Sequence, residues 1–225
     1  MQRHFDQELD GLKDKLMTMA GYANASLSNA IKALVERDDA RARLVQEQDD
    51  LLDQLEMEVD ELAIHLLSKA PLATDLRLIT VAMKISHDLE RVGDEATAIA
   101  KRAIELNAEP QLKPYVDISR MGKMALEMLN VSLDAFVNRN PTEARAVIPR
   151  DEEVDTLNKQ LHRELASYMI ETPATITRCL NLMAVSKRLE RIADHATNIA
   201  EEVVYLYEAK DIRHGGAAAG SPVAP

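Results

Sequence analysis

Eight carboxylates in this sequence are spaced to gather a metal ion: Asp49 and Asp53, Glu90 and Asp94, Asp151 and Asp155, Glu190 and Asp194. The members of each pair are four residues apart, and on a helix such residues share one face with roughly 5–6 Å between their Cβ atoms. Two like charges so placed cost an isolated helix about 0.2–0.5 kcal/mol. A hard di- or trivalent cation reverses that sign, because oxygen ligands are the ones it prefers. The pairs border apolar stripes: Asp49 and Asp53 bracket Leu51 and Leu52, and Glu90 and Asp94 follow Leu89 and Val92. Two antiparallel helices would bring an Asp-x-x-x-Asp beside a Glu-x-x-x-Asp at the edge of their interface, with four carboxylates facing one patch. Such a patch is expected to be open to solvent, unlike a buried di-iron core.

With 38 acids among 225 residues, pairs at this spacing also arise by chance, and Asp6/Asp10 and Glu56/Asp60 are read as two of those. Recurrence separates the eight from the rest. Leu89-Glu90-Arg91-Val92-Gly93-Asp94 returns as Leu189-Glu190-Arg191-Ile192-Ala193-Asp194, and ten of the eighteen columns between Met83–Ala100 and Met183–Ala200 are identical. Asp49–Asp53 aligns with Asp151–Asp155, and Pro71 with Pro173, at an offset of 102. Helical packing alone would preserve apolar columns but not a Glu-Arg and an Asp on a solvated face. The chain is a tandem duplication, and a fold is best read from its repeats first.

The elements that position these residues read as helices throughout. Leu9, Leu12, Leu16, Met19, Ala23, Leu27, Ala30 and Leu34 recur at threes and fours, the period of an amphipathic helix. Asp38 and Asp39 are N-cap candidates for a second helix, with a stripe of Leu44, Leu51/Leu52, Leu55, Val59, Leu62 and Leu66. Pro71 breaks the chain, and Asp75 is expected to cap a third helix carrying Leu76, Ile79, Met83, Leu89, Val92, Ala96, Ile99, Ala103 and Leu106. A linker at Asn107–Pro114 precedes the second half. There Ile118–Phe136 marks a fourth helix and Val147–Tyr168 a fifth, bent by Pro149; the sixth runs from Ile176 to Val203. The expected architecture is all-α: two tandem three-helix bundles related by pseudo-two-fold symmetry, with domains at 1–108 and 109–211 and a disordered, small-residue tail at 212–225.

Composition limits the function classes. The net charge is −11 and no Lys/Arg stripe occurs, so a nucleic-acid partner is not expected. No apolar run is long enough to span a membrane and the N-terminus has no signal-peptide core, which makes the cytoplasm the expected compartment and membrane insertion unexpected. The single cysteine, Cys179, lies in register with Ile176 and Met183 and is expected to be a buried small apolar residue. His65, His87, His162 and His195 are read as surface or flank residues, since no Glu-x-x-His or His-Glu-x-x-His occurs. With no Ser-His-Asp grouping, P-loop or glycine-rich nucleotide loop, the protein is not expected to be an enzyme.

The paired Leu-Glu-Arg-(Val/Ile)-(Gly/Ala)-Asp motifs, their upstream Asp-x-x-x-Asp partners and the helical duplication resemble the PhoU family, over Phe5 to about Asp211. The resemblance implies a negative regulator of the phosphate-starvation (Pho) response, an adaptor coupling the ATPase subunit of the phosphate ABC importer to the regulon's sensor histidine kinase and modulating phosphate uptake. It also implies iron or zinc, or another divalent metal such as magnesium or manganese, at surface carboxylate clusters. One site would use Asp49, Asp53, Glu90 and Asp94, the other Asp151, Asp155, Glu190 and Asp194. A homodimer is expected. The alternative function is a metal-binding carboxylate protein, storing iron or zinc or acting on phosphate esters. The second copy departs from the motif in carrying Ala193 where the first has Gly93, so its packing is expected to differ.

Overall fold

The structure, a computed structural model, describes residues 2–69 and 71–212, so the expected tail lies outside the described residues from position 213 on. The described residues form eight α-helices and two short 3-10 turns, without a strand. The helices are α1 (Gln2–Val35), α2 (Asp39–Glu47), α3 (Asp49–Leu67), α4 (Ala73–Asn107), α5 (Val116–Val137), α6 (Pro141–Val147), α7 (Asp151–Glu171) and α8 (Ile176–Glu208). α4 and α8 form the central antiparallel pair. α1 with α2 and α3 covers α4, while α5 with α6 and α7 covers α8. Each half is a three-helix bundle whose middle helix is broken once, and one apolar core runs through both.

The break falls at the same place in each copy. Gln48 (φ −94°, ψ 0°) interrupts the second helix immediately before Asp49, and the 3-10 turn Ile148–Arg150 interrupts the fifth immediately before Asp151. Pro149 explains the second break, since it has no N–H to donate; no proline or glycine marks the first. Val45, Leu52, Val59 and Leu66 are buried at a constant seven-residue spacing through the break, and Leu44 and Leu51, expected in the core, stand one position off that face and are 44% and 39% exposed. The turns ahead of the broken helices also match. Arg37 and Arg139 take left-handed conformations (φ 59° and 55°), and the N–H of Asp38 and of Asn140 each bonds back to a carbonyl five residues earlier, at 2.9 Å. This is a Schellman-type helix end. Asp38 then caps α2 through the Arg41 N–H, as expected, and Asn140 caps α6 through that of Glu143.

Other expectations are corrected in detail. α4 starts at Ala73 with Leu72 as its cap residue, and Asp75 sits inside its first turn, where a negative charge complements the helix dipole. Leu76 and Ile176, expected in the apolar stripes, lie in the first turns of α4 and α8 and are 44% and 43% exposed. Cys179 is buried, as expected.

Gly93 has a packing role. A Cβ at this position would stand 2.3 Å from Leu52 Cδ1, so its absence lets α3 close onto α4 beside Asp94. The equivalent residues of the second half are Val154 and Ala193, both buried. One methylene has moved from one side of the interface to the other, and the summed side-chain volume is conserved.

Polar contacts line the seam between α4 and α8, and one pair of positions among them recurs by the pseudo-two-fold. Asp88 Oδ1 meets His195 Nδ1 at 2.8 Å and accepts from Asn198 Nδ2 at 3.2 Å. Glu95, almost buried, accepts from Arg188 at 2.8 Å and Arg191 at 3.3 Å. Lys84 Nζ donates to both oxygens of Glu202. Because 88 corresponds to 188 and 95 to 195, Asp88–His195 and Arg188–Glu95 are the same pair of positions seen twice. Pairing the first half with itself would set Asp88 against Glu95, and pairing the second with itself Arg188 against His195. The charges fit only when one half meets the other.

Candidate metal centres

The helix breaks deliver the carboxylates. Asp49 and Asp151 stand in the first turns of α3 and α7, where the dipole favours negative charge, and Asp53 and Asp155 follow one turn later. Packing of α3 on α4 and of α7 on α8 sets them against Glu90/Asp94 and Glu190/Asp194. Members of each expected quartet are close enough to repel one another, but among the described residues the ligand atoms found within 4.8 Å of one another are those of Glu56, His87 and Glu90, not those of either quartet. Repulsion from Asp49 and Asp94 acts on Asp53, and from Asp53 and Asp94 on Glu90. In the other half, Asp194, Asp155 and Glu190 repel charge on Asp151.

The quartets are deeper than expected. Glu90 and Glu190 are only 11% and 10% exposed, whereas Asp94 and Asp155 are 42% and 35% exposed. Each glutamate directly follows a core leucine, so its carboxylate leaves the helix at the covered margin of the interface while the aspartates one turn on form an open rim. Burial, with the neighbouring acids second, pushes the Glu90 carboxyl up to about 7 and the Asp151 carboxyl up to about 6. The same causes raise Asp53 and Asp194. Asp194 is exposed as a residue, so the partial desolvation belongs to the side of its carboxyl that faces the quartet.

Several oxygens here are buried without a hydrogen bond: Glu90 Oε2, Glu190 Oε2 and Asp151 Oδ1. Arg91 Nε lies 3.1 Å from Glu90 Oε2 and Lys187 forms an ion pair with Glu190 Oε2, both outside hydrogen-bond geometry. The halves differ at one further contact. Thr97 Oγ1 donates to Asp49 Oδ1 at 2.8 Å, but its counterpart Thr197 Oγ1 and the counterpart carboxylate Asp151 are both left without that bond. Orphaned buried acceptors are uncommon in folded proteins and call for a partner. Hard carboxylate oxygens left unsatisfied suit a divalent or trivalent cation, so the residues present fit a metal.

Three residues at the first site were not singled out in the sequence for this role. Thr97 belongs to the repeated motif, yet only the structure shows whom it bonds. Glu56, read as half of a chance pair, contributes to the repulsion on Asp53 and Glu90. His87, read as a surface residue, is exposed but contacts Glu56 Oε1 through Nδ1 at 3.1 Å. The available signal was register: Glu56 lies three residues after Asp53 and His87 three before Glu90, each a turn along the same helix face. His195 and His162 are half-buried flank residues with hydrogen-bond contacts, to Asp88 and to Ser186 respectively. Arg91 does neutralise its neighbours Glu90 and Asp94, whereas Arg191 reaches across the seam to Glu95.

Comparison with known proteins gives one consistent answer. The PhoU domain matches residues 16–103 and again 118–203, one copy per half. The phosphate-specific transport system accessory protein PhoU homolog of Pseudomonas aeruginosa is 39% identical over 218 residues, covering 96% of this chain and 90% of that protein. The homolog of the same name from Aquifex aeolicus is 41% identical over 209 residues, covering 92% and 95%. Among solved structures, PhoU from Pseudomonas aeruginosa superimposes with a TM-score of 0.89 at 39% identity, covering 92% of this chain and all (100%) of the other. The phosphate transport system regulatory protein PhoU from Streptococcus pneumoniae gives 0.86 at 28% identity, covering 92% and 98%. With its motifs, both of its bundles and nearly its whole length accounted for, this chain belongs to the PhoU family.

Proposed function

We propose that this protein is a regulatory accessory subunit of phosphate-specific transport, an adaptor rather than an enzyme, working in the cytoplasm as a homodimer. It couples the ATPase subunit of the phosphate ABC importer to the sensor histidine kinase of the phosphate regulon and represses the starvation response when phosphate is plentiful. The observation that carries this reading is the 39% identity to a phosphate transport accessory protein across 96% of the chain. Two facts about the molecule support an adaptor. Among the described residues no helix is long and apolar enough to cross a membrane, and the helices form long surfaces without a catalytic triad or nucleotide loop. An adaptor acts by population shift, binding the repressing state of its partner more tightly than the active one.

The quartets would hold divalent metal: Asp49, Asp53, Glu90 and Asp94 on one side, Asp151, Asp155, Glu190 and Asp194 on the other. Bound there, a cation supplies the positive charge that cancels the carboxylate repulsion. The protein's own residues then do the rest. Glu90 and Glu190 fix the floor of each site from the central pair, and the rim aspartates tie α3 to α4 and α7 to α8.

Deleting the gene in its own host is expected to leave alkaline phosphatase expressed in phosphate-rich medium, with repression restored by the wild-type gene in trans. Pull-down of the importer ATPase and the kinase should depend on external phosphate. Continued phosphatase repression in the deletion strain would refute the regulatory role.

A further inference from the structure

Beside the first quartet, one ligand atom from each of Glu56, His87 and Glu90 lies within 4.8 Å of the other two. We infer that these three residues form a nitrogen-containing site for a single borderline transition ion such as zinc, present in the first half only. The site shares Glu90 with the first quartet and is separable from it through Glu56 and His87, which the quartet does not use.

The geometry is close to that of a bound ion. Two ligands about 2.0–2.1 Å from a tetrahedral zinc stand roughly 3.3 Å apart, and His87 Nδ1 and Glu56 Oε1 are already 3.1 Å apart. Glu90 brings a carboxylate that is almost fully covered and whose Oε2 is buried without a hydrogen bond. Three protein ligands leave a fourth position for water, the arrangement of open zinc sites. Glu56 and His87 also line a groove of about 560 Å³ between α3, α4 and α8; of its other acids, Glu202 is held by Lys84 and Asp88 by His195, which leaves Asp60 beside the site. An imidazole suits zinc or iron and is a poor ligand for magnesium or calcium, which take oxygen.

The second half shows the same position answered differently. Glu56, His87 and Glu90 correspond to Asn158, Lys187 and Glu190, and Lys187 forms an ion pair with Glu190. There the chain itself supplies the positive charge with a tethered ammonium. Asn158 is engaged by Ser186, which donates to its Oδ1 at 2.8 Å. Glu90 is itself paired with Arg91, 3.1 Å away, so the halves differ not in charge balance but in ligands: the second lacks both the imidazole and the second carboxylate, which confines the site to the first half.

The test is calorimetric titration of zinc into the full chain, stripped with chelator and held in excess magnesium to fill oxygen-only sites. One zinc is expected to bind tightly. His87→Ala and Glu56→Gln should each weaken it at least about tenfold, since even outer-shell changes typically cost that much. Both residues are at the surface, and unchanged circular dichroism will establish that the variants fold. Glu171→Gln, at the exposed end of α7 and outside every proposed site, should leave the zinc affinity unchanged. Wild-type zinc affinity in His87→Ala would overturn the inference. The quartet reading is tested separately by Asp53→Asn/Asp94→Asn with manganese in place of zinc, so either can fail alone.

Discussion

Stripped of divalent metal, the protein is expected to lose stability as the pH rises from about 5 to 8. Glu90 and Asp151 drive this, with carboxyls at about 7 and about 6 in the folded state against ordinary values of 4.5 and 3.8. Between those limits the folded chain holds protons that the unfolded chain has already released. Unfolding stability therefore falls with rising pH across that window, and the contribution is complete only below the unfolded values. Each group accounts for on the order of 2–3 kcal/mol. At about 2–4 °C per kcal/mol for a chain of this size, the melting temperature should drop by roughly 10 °C. Asp38, Glu58 and Glu208, lowered by hydrogen bonds from Arg41, Lys15 and Arg145, act with the opposite sign in a different window, below pH 4.5. The stability maximum should thus fall near pH 5. Glu90→Gln, which removes one of the confined charges, should raise the melting temperature at pH 8 and flatten the profile. A melting temperature constant or rising from pH 5 to 8 in wild-type apoprotein would contradict the burial and repulsion described for these groups.

Reversing one charge of the α4–α8 seam should also destabilise the fold. Glu95 is almost buried and is held by Arg188 and Arg191. Arg188→Glu replaces its nearer partner, 2.8 Å away, with a like charge. Glu95 is covered but Arg188 is 38% exposed, so solvent screening limits the cost to about 1–3 kcal/mol. Exchanging the two residues, Glu95→Arg with Arg188→Glu, should recover part of that loss, with a coupling of about 1–3 kcal/mol in the double-mutant cycle. Recovery will be incomplete, because Arg191 would then face an arginine at position 95. Urea unfolding of the four proteins gives the cycle directly, and additive losses would remove the seam pair from the account. The seam also rationalises the asymmetry of the two copies. After duplication, opposite charges at equivalent positions make each half the proper partner of the other and a poor partner of itself.

Fold and site were legible in the sequence to different depths. Helical period, the Pro71 and Pro173 breaks and the duplicated acidic motifs are local patterns, and the structure places the motifs on facing helices, α3 against α4 and α7 against α8. The break at Gln48 was hidden because no glycine or proline marks it; its proline-bearing counterpart at Ile148–Arg150 was the visible clue. Leu44 and Leu51 each directly precede a buried apolar residue, Val45 and Leu52, and side-chain type alone does not say which of two adjacent apolar positions faces the core. How deep Glu90 lies could not be read from spacing, because exposure depends on the tertiary cover that α3 lends it. The Gly93/Ala193 difference was visible, but its consequence depends on Leu52 and Val154, half a repeat away. Seam partners such as Asp88 and His195 are more than one hundred positions apart, and nothing local in either suggests the other.

The central claim, that two duplicated carboxylate quartets are cation sites, is tested most directly by elemental analysis of protein purified without chelator. Wild-type protein should carry divalent or trivalent metal in at least stoichiometric amount, and the Glu90→Gln/Glu190→Gln variant, folded by circular dichroism, should have lost most of it. Metal-free wild-type protein, or equal metal in both, would contradict the claim.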